Sequence, residues 1–417
     1  MKQGMENDRA AAEALLTPAA VRASAHAMLG LARAGQLFHF RLDESKLDAC
    51  AAFVVEVMRA NYPTLDIPFH ARWRHFVVDG EDRWQTLARS ANLTDAREAG
   101  RAAYDLAIVS VLLDAGAGAD WRYHDDRTGR AIGRSEGLAL ASLAMFAAGA
   151  FSSDPGDPLR VDADALQRFD AAALARGFQV SDANPLVGLE GRAALLRRLG
   201  EAMRAAPDAF ATPGGALRPG GLFDRLLDQA TDNAVPAPAI LSEILLRLGP
   251  IWPSRLSIAD VALGDTWLHP LSPAVGQAPA GYVPFHKLSQ WLSYSLIEPL
   301  QWAGARVTDI DGLTGLPEYR NGGLFLDAGV LALKNPADAG RSHTVDSTLV
   351  VEWRALTVAL LDETAARIRA LLKRDAASLP LAKVLEGGTW AAGRRLAREK
   401  RADASPPLSI VSDGTVF

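Results

Sequence analysis

In segment after segment this chain repeats its apolar residues at helical spacing, and no other regularity in it limits the fold as strongly. The stretch TPAAVRASAHAMLGLARAG opens with Thr17 as a helix N-cap and Pro18 at the first helical position, and Gly35 closes it. DESKLDACAAFVVEVMRANYP carries the same spacing and stops at Pro63. DAREAGRAAYDLAIVSVLLDAGAG reads as a helix ending at Gly116, and RSEGLALASLAMFAAGAF as one capped by Ser135. Further helices fit 186–204, 239–248, 284–303, 319–333, 344–374 and 381–400. Strand signals are few and short, QLFHFRL and HFVVDG being the best. The fold class expected is mostly α, a large helical domain with few short strands.

Pro/Gly-rich loops punctuate the helices at 152–158, 206–221 and 269–284. Loops of that length are often functional. The chain reads as one large mostly helical unit over 1–417, and a subdivision into 1–150 and 235–400, joined by a Pro/Gly-rich 151–234 region, stays open. The last residues, ADASPPLSIVSDGTVF, read as a tail or a docked segment.

Composition removes several classes of function. Hydrophobic residues make up 49% and charged residues 22%, the profile of a soluble globular protein. A net charge of -5 argues against a nucleic-acid groove, which needs clustered Lys and Arg. Cys50 is the only cysteine, so no disulfide forms within the chain and no Cys-based metal site is available. A reducing compartment is the default. The N-terminal stretch mixes charges and lacks a long apolar run, and no segment nears the roughly 20 apolar residues of a membrane span. The expectation is a cytoplasmic protein with no nucleic-acid or membrane partner.

Familiar catalytic motifs are absent. There is no GxGxxG after a strand, no GxxxxGK[ST], no HExxH and no GxSxG. His286 and His343 have no partners at metal spacing, and the eight histidines read as satisfied structural residues. No metal and no cofactor is expected, so chemistry must come from carboxylates, Lys, Arg and aromatic residues.

Four polar groups in apolar surroundings become candidates, because unpaired burial costs several kcal/mol. Asp114 ends a helix, where the dipole disfavours a carboxylate that a cation or ligand could offset. Arg134 stands beside a helix N-terminus, a ready anion site, with Glu136 in the same turn as a competitor. HARWRHF sets Arg72, Arg74 and His75 around Trp73, a phosphate-binding pattern or a surface stack. Lys287 has Gln290, Trp291 and Tyr294 on its helix face. Each also has a structural reading: a solvated Asp, a capped helix, an arginine–aromatic stack and a snorkelling lysine. Glu352 and Arg354 share faces with buried apolar residues and are expected to be paired structurally.

The run PFHKLSQWLSYSL followed by VTDIDGLTGLPEYRNGGLFLDAGVL resembles the queuosine-nucleotide N-glycosylase, or queuosine salvage, family over about residues 280–331. That family has a Phe-Tyr-Lys-x-x-Gln helix and an Asp-Tyr-Arg turn, its lysine and aspartate being active-site residues. Lys287, Gln290, Tyr319 and Arg320 match, and Glu318 stands in place of the aspartate, one methylene longer. NGG follows where the family has a Pro-containing stretch. Over roughly residues 30–375 the chain is more similar to a family from the ribosylurea route of uracil catabolism. IPFHARWRHF, VSVLLDAGAGADWRY, RSEGLALASLAMF, LGPIWPSRL and GLPEYRNGGLFLDAGVL carry that resemblance.

These resemblances imply a helical fold similar to queuosine salvage and DNA glycosylase-like proteins, and hydrolysis of an N-glycosidic bond in a ribosylurea, its phosphate or a related nucleotide. On that reading Glu318, helped by Asp114, stabilises positive charge at C1′ and activates water, while Lys287 holds the carboxylate ionised or binds sugar oxygens. Tyr319 or Gln290 supplies a donor to the urea, and Arg320 supports the carboxylate. Arg72, Arg74, His75 and Arg134 surround the phosphate, and Trp121 or Trp267 lines the pocket. The alternatives are a metal-free ring-opening or amide hydrolase of the same pathway and a non-catalytic nucleotide-binding protein. A DNA-binding reading, from the likeness of IDGLTGLPEYRNGG to a glycosylase hairpin, is opposed by the net charge of -5.

Overall fold

Thr17 accepts a hydrogen bond from the Ala20 amide and Pro18 follows it, so the helix Pro18–Arg33 begins where its capping signal puts it. The computed structural model describes residues 2–114, 116–252 and 255–411. Helices carry the fold, and among the described residues no strand is longer than three residues. The strands pair two by two and build no larger sheet there. The mostly α expectation holds. The chain divides into two units, one of Met1–His70, Ser254–Trp291 and Asp309–Phe417, the other of Ala71–Pro253 and Leu292–Thr308. The Pro/Gly-rich region 151–234 lies wholly inside the second.

The first unit is organised by the 25-residue helix Thr348–Leu372. It packs on Pro18–Arg33, on Leu47–Asn61 and on Tyr319–Asp327, and the last of these packs in turn on Trp390–Lys400. Every residue from Leu349 to Leu361 is buried, so Glu352 and Arg354 must find partners inside the protein. They find different ones. Glu352 accepts from the backbone amides of Phe38 and His39 at 2.8 and 2.9 Å and lies 3.2 Å from His269 Nε2. Arg354 holds Asp265 with both terminal nitrogens at 2.7 Å and lies over the Phe285 ring. Strand Ser409–Val411 pairs in parallel with Ser342–Thr344, so the end of the chain is docked up to there; residues 412–417 lie outside the described residues.

The second unit is built on Ala96–Leu112, capped by Asp95 and buried from Gly100 to Leu112. The carboxylate buried in the middle of this helix, Asp105, is satisfied by the amides of Val161 and Gly220 and by Arg218.

Three local expectations need correction. Gly133, not Ser135, caps the helix Arg134–Ala147, because the Gly133 carbonyl already accepts the first helical bond from Gly137. The helix read over 319–333 stops at Asp327: Gly329 takes a left-handed turn (φ +75°), and Leu331–Leu333 becomes a strand paired with Phe40–Leu42. The helix read over 381–400 is interrupted by a π-helical segment, Leu385–Thr389. Its glycine pair sits hard against the first unit's core: a Cβ on Gly388 would lie 2.5 Å from Val54 Cγ1, and one on Gly387 2.7 Å from Ile67 Cδ1.

Candidate functional site

Glu318 sits immediately before the helix Tyr319–Asp327 in an extended conformation. Its carboxylate caps that helix, Oε2 accepting from the Arg320 amide at 2.7 Å and Oε1 from the Asn321 amide at 2.5 Å. A carboxylate has about four lone-pair sites, so each oxygen keeps one for another donor. Burial pushes the carboxyl above the ordinary glutamate range, opposed by the two backbone amides and then by the charges of Lys287 and His70. The residue keeps 8% of its surface accessible. The neighbours of Glu318 take other roles. Tyr319 is exposed, and the Arg320 guanidinium lies 5.0 Å from its ring while donating to the Ala404 carbonyl at 2.9 Å.

Lys287 opens the helix Lys287–Trp302, its backbone amide donating to Asp265 Oδ2 at 3.0 Å. Asp265 is fixed by the Arg354 fork and by Trp267 Nε1 at 2.6 Å. Burial alone would raise the Asp265 carboxyl, but the facing guanidinium overrides it and brings it down to about 2. Just before Lys287, His286 is buried in a left-handed conformation (φ +48°), with Nε2 donating to the Leu15 carbonyl at 2.9 Å. Such backbone strain persists only where the surroundings over-determine it, so the start of the lysine helix is held firmly in place. One turn on, Gln290 is fully buried: Oε1 accepts from the Thr314 amide at 3.2 Å, while Nε2 has no partner among the described residues.

A third group belongs to the same unit. His70 Nδ1 lies 2.7 Å from Glu386 Oε2, and Tyr62 donates its hydroxyl to Glu386 Oε1 at 3.2 Å. Glu386 stands on the π-helical segment, a form that occurs mostly as single turns and frequently at functional sites.

The other sequence candidates lie in the second unit. Arg72 is fully buried and donates to Ser110 Oγ and its carbonyl, to Asp114 Oδ2 at 2.9 Å and to the Ser135 carbonyl. His75 Nδ1 lies 3.3 Å from the same guanidinium. Asp114 thus has the cation its helix-end position calls for, and its Oδ1 stays buried without a partner among the described residues. Arg74 binds Glu298 at 2.6 Å. Arg134 is exposed, in a left-handed conformation at the start of its helix. Trp121 is a core residue, Nε1 donating to the Phe178 carbonyl, and Trp267 is buried under Arg255 in the first unit. Glu318, Lys287, Gln290, Tyr319, Arg320 and Trp267 therefore share one unit, while Asp114, Arg72, Arg74, His75, Arg134 and Trp121 share the other.

With this geometry in view, a family model described as a protein of unknown function, DUF1688, matches residues 14–417. The chain belongs to the DUF1688 family. It is 41% identical over 411 residues to Protein urg3 of Schizosaccharomyces pombe, covering 97% of this chain and 98% of that one. It is 39% identical over 414 residues to Uracil catabolism protein 4 of Lachancea kluyveri, covering 92% and 93%. The resemblance to uracil-catabolism proteins that the sequence blocks carry is thus met by relatives along nearly the whole chain.

For this DUF1688 chain, no sequence motif joins His70 and Tyr62 to Glu386, which lies far from both along the chain. One signal was available: the Gly387–Gly388 pair directly after Glu386, inside an otherwise helical pattern. Among the described residues no cluster of three or more His, Cys, Asp or Glu is placed to hold a metal ion, and no helix is long and apolar enough to cross a membrane.

Proposed function

We propose that this chain acts in uracil catabolism as an N-glycosidic bond hydrolase, releasing urea from ribosylurea or its phosphate. Its relatives carry names from that pathway, one of them Uracil catabolism protein 4. The observation that carries the reading is Glu318: a buried carboxylate, raised by burial, with open lone pairs and with Lys287 as a nearby cation.

Breaking the C1′–N bond leaves positive charge on the sugar. An anion beside C1′ stabilises that charge, and a desolvated one does so more strongly than one in water. Glu318 supplies the anion and accepts the proton of the incoming water. Burial favours its protonated form, and the two helix amides and then the Lys287 charge oppose that. Gln290 offers its buried amide N–H to a substrate oxygen, the position where an unpartnered donor gains most from a ligand. The C1′–N electron pair leaves on the urea nitrogen, water adds to C1′, and the products are urea and the free sugar or its phosphate.

Product identity tests this directly. Protein incubated with ribosylurea, and separately with its 5′-phosphate, is expected to form urea and a reducing sugar in equal amounts. Ammonia with carbon dioxide would establish the amide hydrolase instead, and saturable binding without any product would establish a nucleotide-binding role.

A further inference from the structure

The unassigned groups of the first unit converge on His70. Its Nδ1 faces a carboxylate oxygen, which can only accept, so Nδ1 carries hydrogen. The partner, Glu386, is itself held by Tyr62, and the ring is three-quarters buried or more, with 18% of the side chain accessible. Orientation and tautomer are thus fixed from one side. Nε2, the other nitrogen, has no partner among the described residues. Carboxylate, imidazole and open nitrogen is the order that positions a proton-transfer group.

The segment that carries Glu386 also borders the Glu318 turn. The amide of His70 donates to the Ala382 carbonyl at 3.0 Å, and the amide of Leu381 donates to Asp311 Oδ1 at 2.6 Å. Further along, Gly393 comes so close to the turn that a Cβ there would lie 2.1 Å from the Arg320 carbonyl oxygen. One stretch, 381–393, therefore positions His70 and packs against Arg320, the second residue after Glu318. The charge of His70 acts on Glu318, as does that of Lys287. The π-helical turn gives this stretch its local geometry, and the Gly387–Gly388 pair is what lets it sit against Val54 and Ile67.

We propose that His70 is a catalytic residue, the general acid that protonates the leaving urea nitrogen, and that Glu386 is the positioning residue that holds it. The inference rests on the hydrolase reading above. As the C1′–N bond breaks, its electron pair goes to the urea nitrogen, which takes the proton from Nε2 of the doubly protonated His70 ring and leaves the Nδ1–H tautomer that Glu386 holds. Water adds at C1′ and passes its proton to Glu318. Solvent then restores both groups, so the cycle consumes one water and gives one urea and one sugar.

His70→Asn separates this role from a structural one, because the asparagine amide still donates to Glu386 but has no counterpart of Nε2. Thermal stability is expected close to wild type, with kcat for urea release lower by about 10²–10³-fold. His70→Ala is expected to lose a similar factor and to recover part of it on addition of imidazole, while Glu386→Gln loses about tenfold in kcat with KM little changed. Wild-type turnover by His70→Asn, or a loss in His70→Ala that imidazole does not touch, overturns the assignment. Absence of urea release by the wild-type protein would instead refute the hydrolase reading, which keeps the two failures distinct.

Discussion

Asp265 and Glu318 are both buried carboxylates of one unit, yet their surroundings drive them in opposite directions. Asp265 meets a planar guanidinium with two 2.7 Å contacts and is brought down to about 2, whereas Glu318 meets two backbone amides and less direct cations and ends above the ordinary glutamate range. Burial penalises both, so the partner decides. A bidentate arginine makes Asp265 a permanent anion, suited to fixing the start of the Lys287 helix. Backbone amides leave Glu318 above its ordinary range, the setting that the proposed hydrolysis calls for. The difference between the two carboxylates lies in their contacts and not in depth.

The largest effect expected on stability comes from taking the clamp apart. Asp265→Asn leaves Arg354 buried beside Phe285 without its counter-charge, and is expected to cost about 3–5 kcal/mol in denaturant unfolding. Arg354→Met added to it should restore part of that loss. Equal stability of Asp265→Asn and wild type would remove the contrast between the two carboxylates.

Next in size is the π-helical segment. Gly388→Val inserts atoms where even a Cβ meets Val54 at 2.5 Å, and is expected to cost about 1–3 kcal/mol. An unchanged unfolding midpoint would show that the segment is not tightly packed.

Lys287→Met sharpens the comparison from the other side. Lys287 lowers the Glu318 carboxyl, so removing its charge should move the acid limb of the rate profile to higher pH. A limb that stays in place would separate the lysine from Glu318.

The smallest expected effect is on stability against pH, where the two carboxylates have opposite signs. Asp265 lies below its ordinary 3.8, so its contribution is complete above that value and lost as pH falls through about 2. Glu318 lies above its ordinary 4.5, so its contribution is complete below 4.5 and lost as pH rises through its folded-state value. The stability of wild type relative to Glu318→Gln should therefore rise as pH falls from neutral towards 4.5, as read by denaturant unfolding. A relative stability that falls over that range contradicts the raised value.

The helical architecture was legible because its signals are local. Thr17 with Pro18, and the buried face of Thr348–Leu372, are encoded within a few turns of chain. Lys287 and Glu318 were legible through the block that resembles nucleotide glycosylases, although the capping of the 319–327 helix by Glu318 appears only in three dimensions. The His70–Glu386 pair was not legible, because 316 positions separate its members and no periodicity reports such a contact. Likewise, Arg72 reads as a phosphate ligand beside Trp73, but folding surrounds its guanidinium with Ser110, Asp114 and Ser135. Sequence pattern shows which groups are polar in apolar places; it does not show which of them already have protein partners.

Single-turnover urea release from ribosylurea 5′-phosphate by Glu318→Gln is the most direct measurement of whether this carboxylate performs the reaction. The glutamine keeps the size of the side chain and an oxygen for one of the two helix amides, so a folded protein of somewhat lower stability is expected, with the rate lower by about 10²–10³-fold. A folded variant that releases urea at the wild-type rate would contradict the account.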